Sequence, residues 1–212
     1  MKYADLRFRH NLEKGVFDSI GQYDIPIIRA EPFIPCEFIP FSNAKSYTKK
    51  TNTTGIHFFI DDYKFERVWN NFCRYTEILS SYQAVMTPDF SLYTDFPKAL
   101  QIYNHYRKHF IGAYMQQMGV RVYPTISWSD KESLLWCFDG EPEHGTVCIS
   151  SVGSQNNTYA KTLFKYGYDA MIERLQPETI IFYGTIPNDC KGNIVRVKAF
   201  QEKFTEAKTE CI

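Results

Sequence analysis

Gly55 to Asp62 reads GIHFFIDD, and four later stretches repeat its plan: AVMTPDFS (84–91), VRVYPTISWSD (120–130), TVCISSVGS (146–154) and TIIFYG (179–184). Each is an apolar, β-rich run that ends in a small polar cluster and gives way to a helical pattern. Strands alternating with helices predict an α/β fold of repeated βα units around a mainly parallel sheet. In such sheets the ligand crevice lies outside the carboxyl ends of the strands. Asp61, Asp89, Ser91, Ser127, Asp130, Ser151 and Tyr183 stand at those ends, so the topology predicts that they share one face. Sequential crossovers without reversal give a partial β/α-barrel-like form, and a reversal of strand order gives an open doubly wound sheet. The repeat favours the first, although its count falls short of a full barrel unless the amino-terminal segment adds strands.

The chain has 212 residues, the size of one domain with a substantial core. Residues 1–54 form an extended wrap, because Pro26, Pro32, Pro35 and Pro40 preclude a helix there, and Ile25 to Ala30 is placed as an edge strand. Lys49 and Lys50 fall in an exposed loop. Residues 55–192 form the βα core, and residues 193–212 add a strand over Asn193 to Phe200 and a polar tail, QEKFTEAKTECI. The helices are read as one starting near Asp62 and running to Leu79, and a long one from Asp95 and Pro97 that Gly119 stops. A short one follows, with a capping box at Ser129 and Glu132, and then one through Ala160 to Leu175 that Pro177 ends. Leu100, Tyr103, Tyr106, Phe110, Ala113 and Met118 are taken as the buried face of the long helix, with Gly112 permitting a close approach.

Twenty-four basic and 24 acidic side chains balance, which argues against extended nucleic-acid binding through the phosphate backbone. Six cysteines without a C-x-x-C pair suit a reduced, cytoplasmic chain, and no apolar run reaches membrane-spanning length. Aromatic residues make up 17% of the chain, enough to furnish stacking surfaces as well as a core.

Carboxylates gathered at strand ends suit Mg²⁺ or an acid and base pair. Asp61, Asp89 and Asp130 are therefore the catalytic candidates, with Asp61 and Asp89 as metal ligands. Asp62, Asp95 and Asp130 also stand where helix caps are wanted. The SSVGSQNN loop joins a strand to a helix, so Ser151 and the amides around Gly153 are candidates for holding a phosphate or carboxylate, although the P-loop lysine and the dinucleotide glycines are missing. Ser91, Ser127, Tyr93, Trp128 and Tyr183 complete the ligand set, the rings as stacking surfaces. No nucleophile elbow occurs, and His57 reads as a core residue. His105 and His109, four apart on a helix without a zinc-protease glutamate, read as a packed or solvated helix face.

The segments GIHFFIDDYKFERVW, TPDFSLYTDFPKALQIYNHYR and GAYMQQMGVRVYPTISWSD, with the later CFDG, SSVGS and YG, resemble bacterial and phage proteins grouped as domain of unknown function 4417. The resemblance spans about residues 55–192. It implies a bacterial, phage or mobile-element origin and supplies no reaction. Two functions fit these residues. One is a metal-assisted hydrolase or transferase acting on a phosphate-bearing small molecule or nucleic-acid end. The other is a non-catalytic protein that captures a nucleotide-like ligand or a host protein.

Overall fold

A computed structural model describes residues 10–12, 15, 17–48, 51–199 and 202. Lys49, Lys50 and the tail beyond Ala199, apart from Glu202, lie outside them. The first two strands, β1 (Ser19–Ile20) and β2 (Ile25–Pro26), form a small antiparallel hairpin. Ile25 therefore does not extend the main sheet, contrary to the edge strand placed at Ile25 to Ala30. The amino-terminal segment contributes β3 (Glu37–Pro40) instead, which pairs parallel with β4 (Thr54–His57). Pro40 is tolerated because β3 is an edge strand.

The row continues in chain order through β5 (Ala84–Met86) and β6 (Val122–Tyr123), every pair parallel. A parallel bridge between Thr125 and Cys148 leads to β7 (Thr146–Ser150), β8 (Thr179–Tyr183) and β9 (Ile194–Val197), again all parallel. The strand order never reverses, and the row does not close, since no pairing joins β3 to β9 among the described residues. It nevertheless curls. The rings of His57 on β4 and Tyr183 on β8 lie 4.9 Å apart, although three strands separate them in the row. In a flat sheet those strands would be about 19 Å apart.

Alternation along the strands sorts side chains to the two sides of this curl. Phe38, Ala84, Met86, Tyr123, Cys148 and Ile181 form the cluster on the concave side. Gly55 leaves room for Phe38, whose ring carbon would lie 2.4 Å from an added Cβ. On the other side, Ile56, Val85 and Val122 face α1 (Glu66–Asn70), α2 (Phe72–Leu79) and α3 (Lys98–Gln117). Val147, Ile149, Ile180 and Phe182 pack with Phe164, Tyr168, Met171 and Leu175 of α4 (Thr158–Leu175). The amino-terminal segment crosses the opposite end, where the Thr146 amide donates to Glu31 O (3.0 Å) and the Ile34 amide to the Tyr123 hydroxyl (2.9 Å).

Several helical readings need correction. The helix expected from Asp62 is split into a 3-10 turn (Asp62–Lys64), α1 and α2, with the break at Asn71, a residue whose side chain competes for backbone bonds. After β6 only a 3-10 turn, Ser133–Leu135, forms. There Glu132 holds the N-cap position without a side-chain cap and the Ser133 amide donates to Asp130 Oδ1 (2.9 Å), so the expected Ser129–Glu132 capping box does not form. Pro97, not Asp95, holds the N-cap position of α3. The expected face of α3 is also displaced: Leu100 and Met118 are exposed, whereas Gln101, Asn104, His105, Lys108, His109 and Gln116 are buried. Gly112 does allow a close approach, since an added Cβ would lie 2.7 Å from Ile28 Cδ1 and 2.8 Å from Thr87 Cγ2. Gly119, at φ +81°, ends the helix as expected.

Candidate functional site

Because the strands are parallel, their carboxyl ends open on one side, and the loop after β5 is the most firmly built part of that rim. Its anchor is Phe90, buried against Phe65 (5.2 Å between ring centroids) and under the Arg107 guanidinium (3.9 Å to the ring centroid). Next to it the Ser91 amide and hydroxyl both donate to the Asp62 carboxylate, at 3.0 and 2.8 Å. Asp62 thus clamps a neighbouring loop instead of capping a helix. Asn104 donates to Ser91 O (2.8 Å), and Gln101 donates to Tyr93 O (3.0 Å) and Phe96 O (2.9 Å). Asp89 rides on this clamped loop, half-buried.

Burial pushes the Asp89 carboxyl up to about 7, the nearby Lys108 ammonium pulls it down and the Asp62 carboxylate pushes it further up. Lys108 comes from α3, is itself buried, and donates to Thr125 O (2.8 Å) and to Glu141 Oε1. Thr125 in turn sits on Thr87, its amide donating to the Thr87 hydroxyl at 2.8 Å. Thr87, the first residue past β5, and Thr125, the second past β6, are therefore tied by side chains where the ladder stops.

Behind Lys108 lies a polar cluster that the sequence reading missed. His105, His109 and Glu141 are all buried, with ligand atoms within 4.8 Å of one another. His109 Nε2 is 3.0 Å from Glu141 Oε1, and its Nδ1 is 2.8 Å from Pro26 O. Burial would raise Glu141, but the Lys108 ammonium beside it holds its carboxyl below the ordinary range. The i, i+4 histidines were visible in the sequence, but Glu141, 32 residues beyond His109, carried no local signal.

The remaining sequence candidates divide. Asp61 is on the solvent side, 61% exposed and paired with Lys64 at 2.6 Å. Asp130 is bound by Lys98 (3.1 Å) and the Ser133 amide, which together with Lys98 outweigh burial and lower its carboxyl. Tyr93 is exposed, edge-on to Phe96. Trp128 lies on α4: its Nε1 donates to Leu163 O (3.2 Å), and an added Cβ on Gly167 would sit 2.0 Å from its ring. That ring serves helix packing. Tyr183 is buried at the end of β8, stacked on Phe59 (5.0 Å) beside His57. Ser151 is buried, its hydroxyl donating to Thr185 O (2.6 Å), and Ser127 is half-buried. Gly153, at φ +82°, faces open space.

The described cysteines, Cys36, Cys73, Cys137, Cys148 and Cys190, are unpaired, and burial pushes the thiols of Cys36 and Cys190 up to about 11. No helix among the described residues is long and apolar enough to cross a membrane.

Comparison with known proteins places these features in a family. The chain is 38% identical over 172 residues to "Gene 1 protein" of Mycobacterium phage L5, covering 80% of this chain and 75% of that protein. It is 35% identical over 185 residues to "Gene 1 protein" of Mycobacterium phage D29, covering 87% of this chain and 68% of that protein. No solved structure matches. The family model described as Domain of unknown function (DUF4417) matches residues 17–201, which takes in both the clamped Asp89 loop and the polar cluster behind it, and the chain belongs to that family.

Proposed function

We propose that the carboxyl-end rim is an acid-base site and that the protein is a hydrolase or transferase acting on a phosphate-bearing small molecule or nucleic-acid end. The observation that carries this reading is Asp89: a carboxyl raised by burial to about 7, on a loop held from two sides. A group that titrates near neutral pH can both take and give a proton at working pH. Lys108, buried behind the loop and paired with Glu141, acts on Asp89 through its charge alone and lowers its carboxyl. The turn after β7 supplies a candidate anion contact, because Gly153 leaves its backbone accessible and Ser151 is fixed beneath it. β5 and β7 are two places apart in the row, so their ends are about 10 Å apart, a span that a phosphate ester bridges. Asp61, being exposed and paired with Lys64, is assigned to the rim, and Mg²⁺ would enter with the substrate phosphate instead of on a preformed Asp61–Asp89 pair.

The test is product formation from a panel of nucleotides, phosphomonoesters and 5′-phosphorylated oligonucleotides with and without Mg²⁺. Asp89→Asn is expected to lower the rate about 10²- to 10⁴-fold while leaving the fold intact. Full activity in Asp89→Asn sinks the assignment.

A second reading, non-catalytic capture of a host protein, is favoured by a different face. Tyr159 and Tyr166 stand exposed along α4, Tyr166 lining clefts of about 310 and 390 Å³ and Tyr159 the second of them, with Lys131 4.2 Å from the centre of the Tyr166 ring. Recovery of every panel compound unchanged after long incubation, together with partner binding lost in Tyr166→Ala, would favour it.

A further inference from the structure

A neutral imidazole has one bare nitrogen, and which one is bare follows from what the other faces. His105 Nε2 faces the carbonyl of Asp139 at 3.1 Å. A carbonyl only accepts, so Nε2 carries the proton and Nδ1 is left with its lone pair. His105 Nδ1 is buried without a hydrogen-bond partner. His109 repeats the arrangement: Nδ1 faces the Pro26 carbonyl at 2.8 Å and must donate, so Nε2 is bare and lies 3.0 Å from Glu141 Oε1. Two acceptors then face each other in a buried place. Glu141 Oε2 is likewise buried and unpartnered. Such an arrangement calls for a cation among the three side chains, either a proton or a metal ion.

We infer that His105 Nδ1, His109 Nε2 and the Glu141 carboxylate form a binding site for one divalent transition-metal ion of the zinc class. Two imidazoles and a carboxylate are the donor set that borderline ions such as Zn²⁺ and Co²⁺ prefer over Mg²⁺. The histidines are four apart on α3, hence on one face, with ring centroids 4.4 Å apart. Each side chain has one donor atom within 4.8 Å of a donor atom of the other two, and the three donors need to draw in to about 3.5 Å around bonds of about 2.1 Å, which rotamer adjustment can supply. The outer contacts are already present: carbonyls of Asp139 and Pro26 fix both rings, and Lys108 holds Glu141 Oε1, leaving Oε2 directed elsewhere. Gly140 is part of the same design. At φ +77° an added Cβ would lie 2.5 Å from Pro26 O and 2.8 Å from His109 Nδ1, so glycine lets the turn bring Glu141 against the helix. With all three ligands buried, the ion acts as a staple joining α3, the 139–141 turn and the amino-terminal segment. This inference is independent of the acid-base reading of Asp89.

The experiment uses untagged full-length protein, stripped with chelator and titrated with Co²⁺ and then Zn²⁺. One equivalent of Co²⁺ is expected to give visible d–d absorption that Zn²⁺ abolishes and Mg²⁺ does not, together with a rise in thermal midpoint. His105→Ala is expected to weaken binding at least about 100-fold. Imidazole ¹⁵N shifts of the unmutated chain read the site without a variant: Zn²⁺ must move Nδ1 of His105 and Nε2 of His109, not their other nitrogens. Absence of Co²⁺ uptake, or uptake that leaves those two nitrogens unmoved, overturns the inference and leaves a proton between His109 and Glu141.

Discussion

α3 and α4 both cover the outer side of the sheet, yet they are built on different physics. α4 buries Phe164, Gly167, Tyr168, Met171 and Leu175, a stripe at helical spacing, and exposes the rest. α3 buries Gln101, Asn104, His105, Arg107, Lys108, His109 and Gln116 along with its apolar residues. Each of those polar groups must find a partner inside the protein, and most do so on loops at the strand ends. Gln101 and Asn104 hold the Asp89 loop, Lys108 reaches Thr125 and Glu141, and Gln116 exchanges two hydrogen bonds with Arg29, at 2.8 and 2.9 Å. One helix holds the sheet, and the other holds the sheet and arranges chemistry.

The contrast is broken most forcefully inside α3. Lys108→Met strands Glu141 in the interior and is expected to cost about 3–5 kcal/mol in urea denaturation, with Lys108→Met/Glu141→Gln recovering a large part. A loss below about 1 kcal/mol would mean that the network contributes little. On α4 the comparable change is steric: Gly167→Ala pushes a methyl into the Trp128 ring and is expected to cost about 1–3 kcal/mol, read by the same denaturation.

A third change acts through pH. The folded Asp89 carboxyl titrates near 7, above the roughly 3.9 of an unfolded aspartate, so the folded state binds the extra proton between those values. Stability from this group is greatest at low pH and falls as pH rises from about 4 to 7. Asp89→Asn should therefore leave stability nearly unchanged at pH 4 and raise it by about 1–2 kcal/mol at pH 8, after allowing for partial exposure. A difference that does not depend on pH would contradict the burial argument.

Smaller effects sharpen the picture at the edges. Asn157 caps α4 by accepting from the Ala160 amide at 2.9 Å, and Asn157→Ala should cost about 1 kcal/mol in thermal melts. Asp61→Asn removes only a solvent-exposed pair and should change stability by less than about 0.5 kcal/mol.

The parallel row and its shared carboxyl edge were legible because apolar runs ending in polar clusters report strand direction once helices intervene. α4 was legible for the same reason, since its periodicity is clean. α3 was misread: the period-seeking rule selected Leu100 and Met118, which are exposed, and passed over Lys108 and Gln116 because buried polar residues look like surface in a sequence. Among the site candidates, Asp89 and Tyr183 stand on the enclosed side, whereas Asp61 is exposed and Trp128 belongs to helix packing. Strand-end position alone could not separate them, because which way a loop residue turns depends on partners far away in the chain, such as the Asp62 clamp on Ser91. The Glu141 contact was invisible for that reason too.

The acid-base site requires Asp89 to be a carboxyl poised near neutral pH, and carboxyl ¹³C NMR of aspartate-labelled protein measures this without knowledge of a substrate. A resonance absent from Asp89→Asn is expected to titrate near pH 7. If the resonance that Asp89→Asn removes instead titrates near the ordinary value of about 4, Asp89 is an unremarkable rim carboxylate and the proposed acid-base site is contradicted.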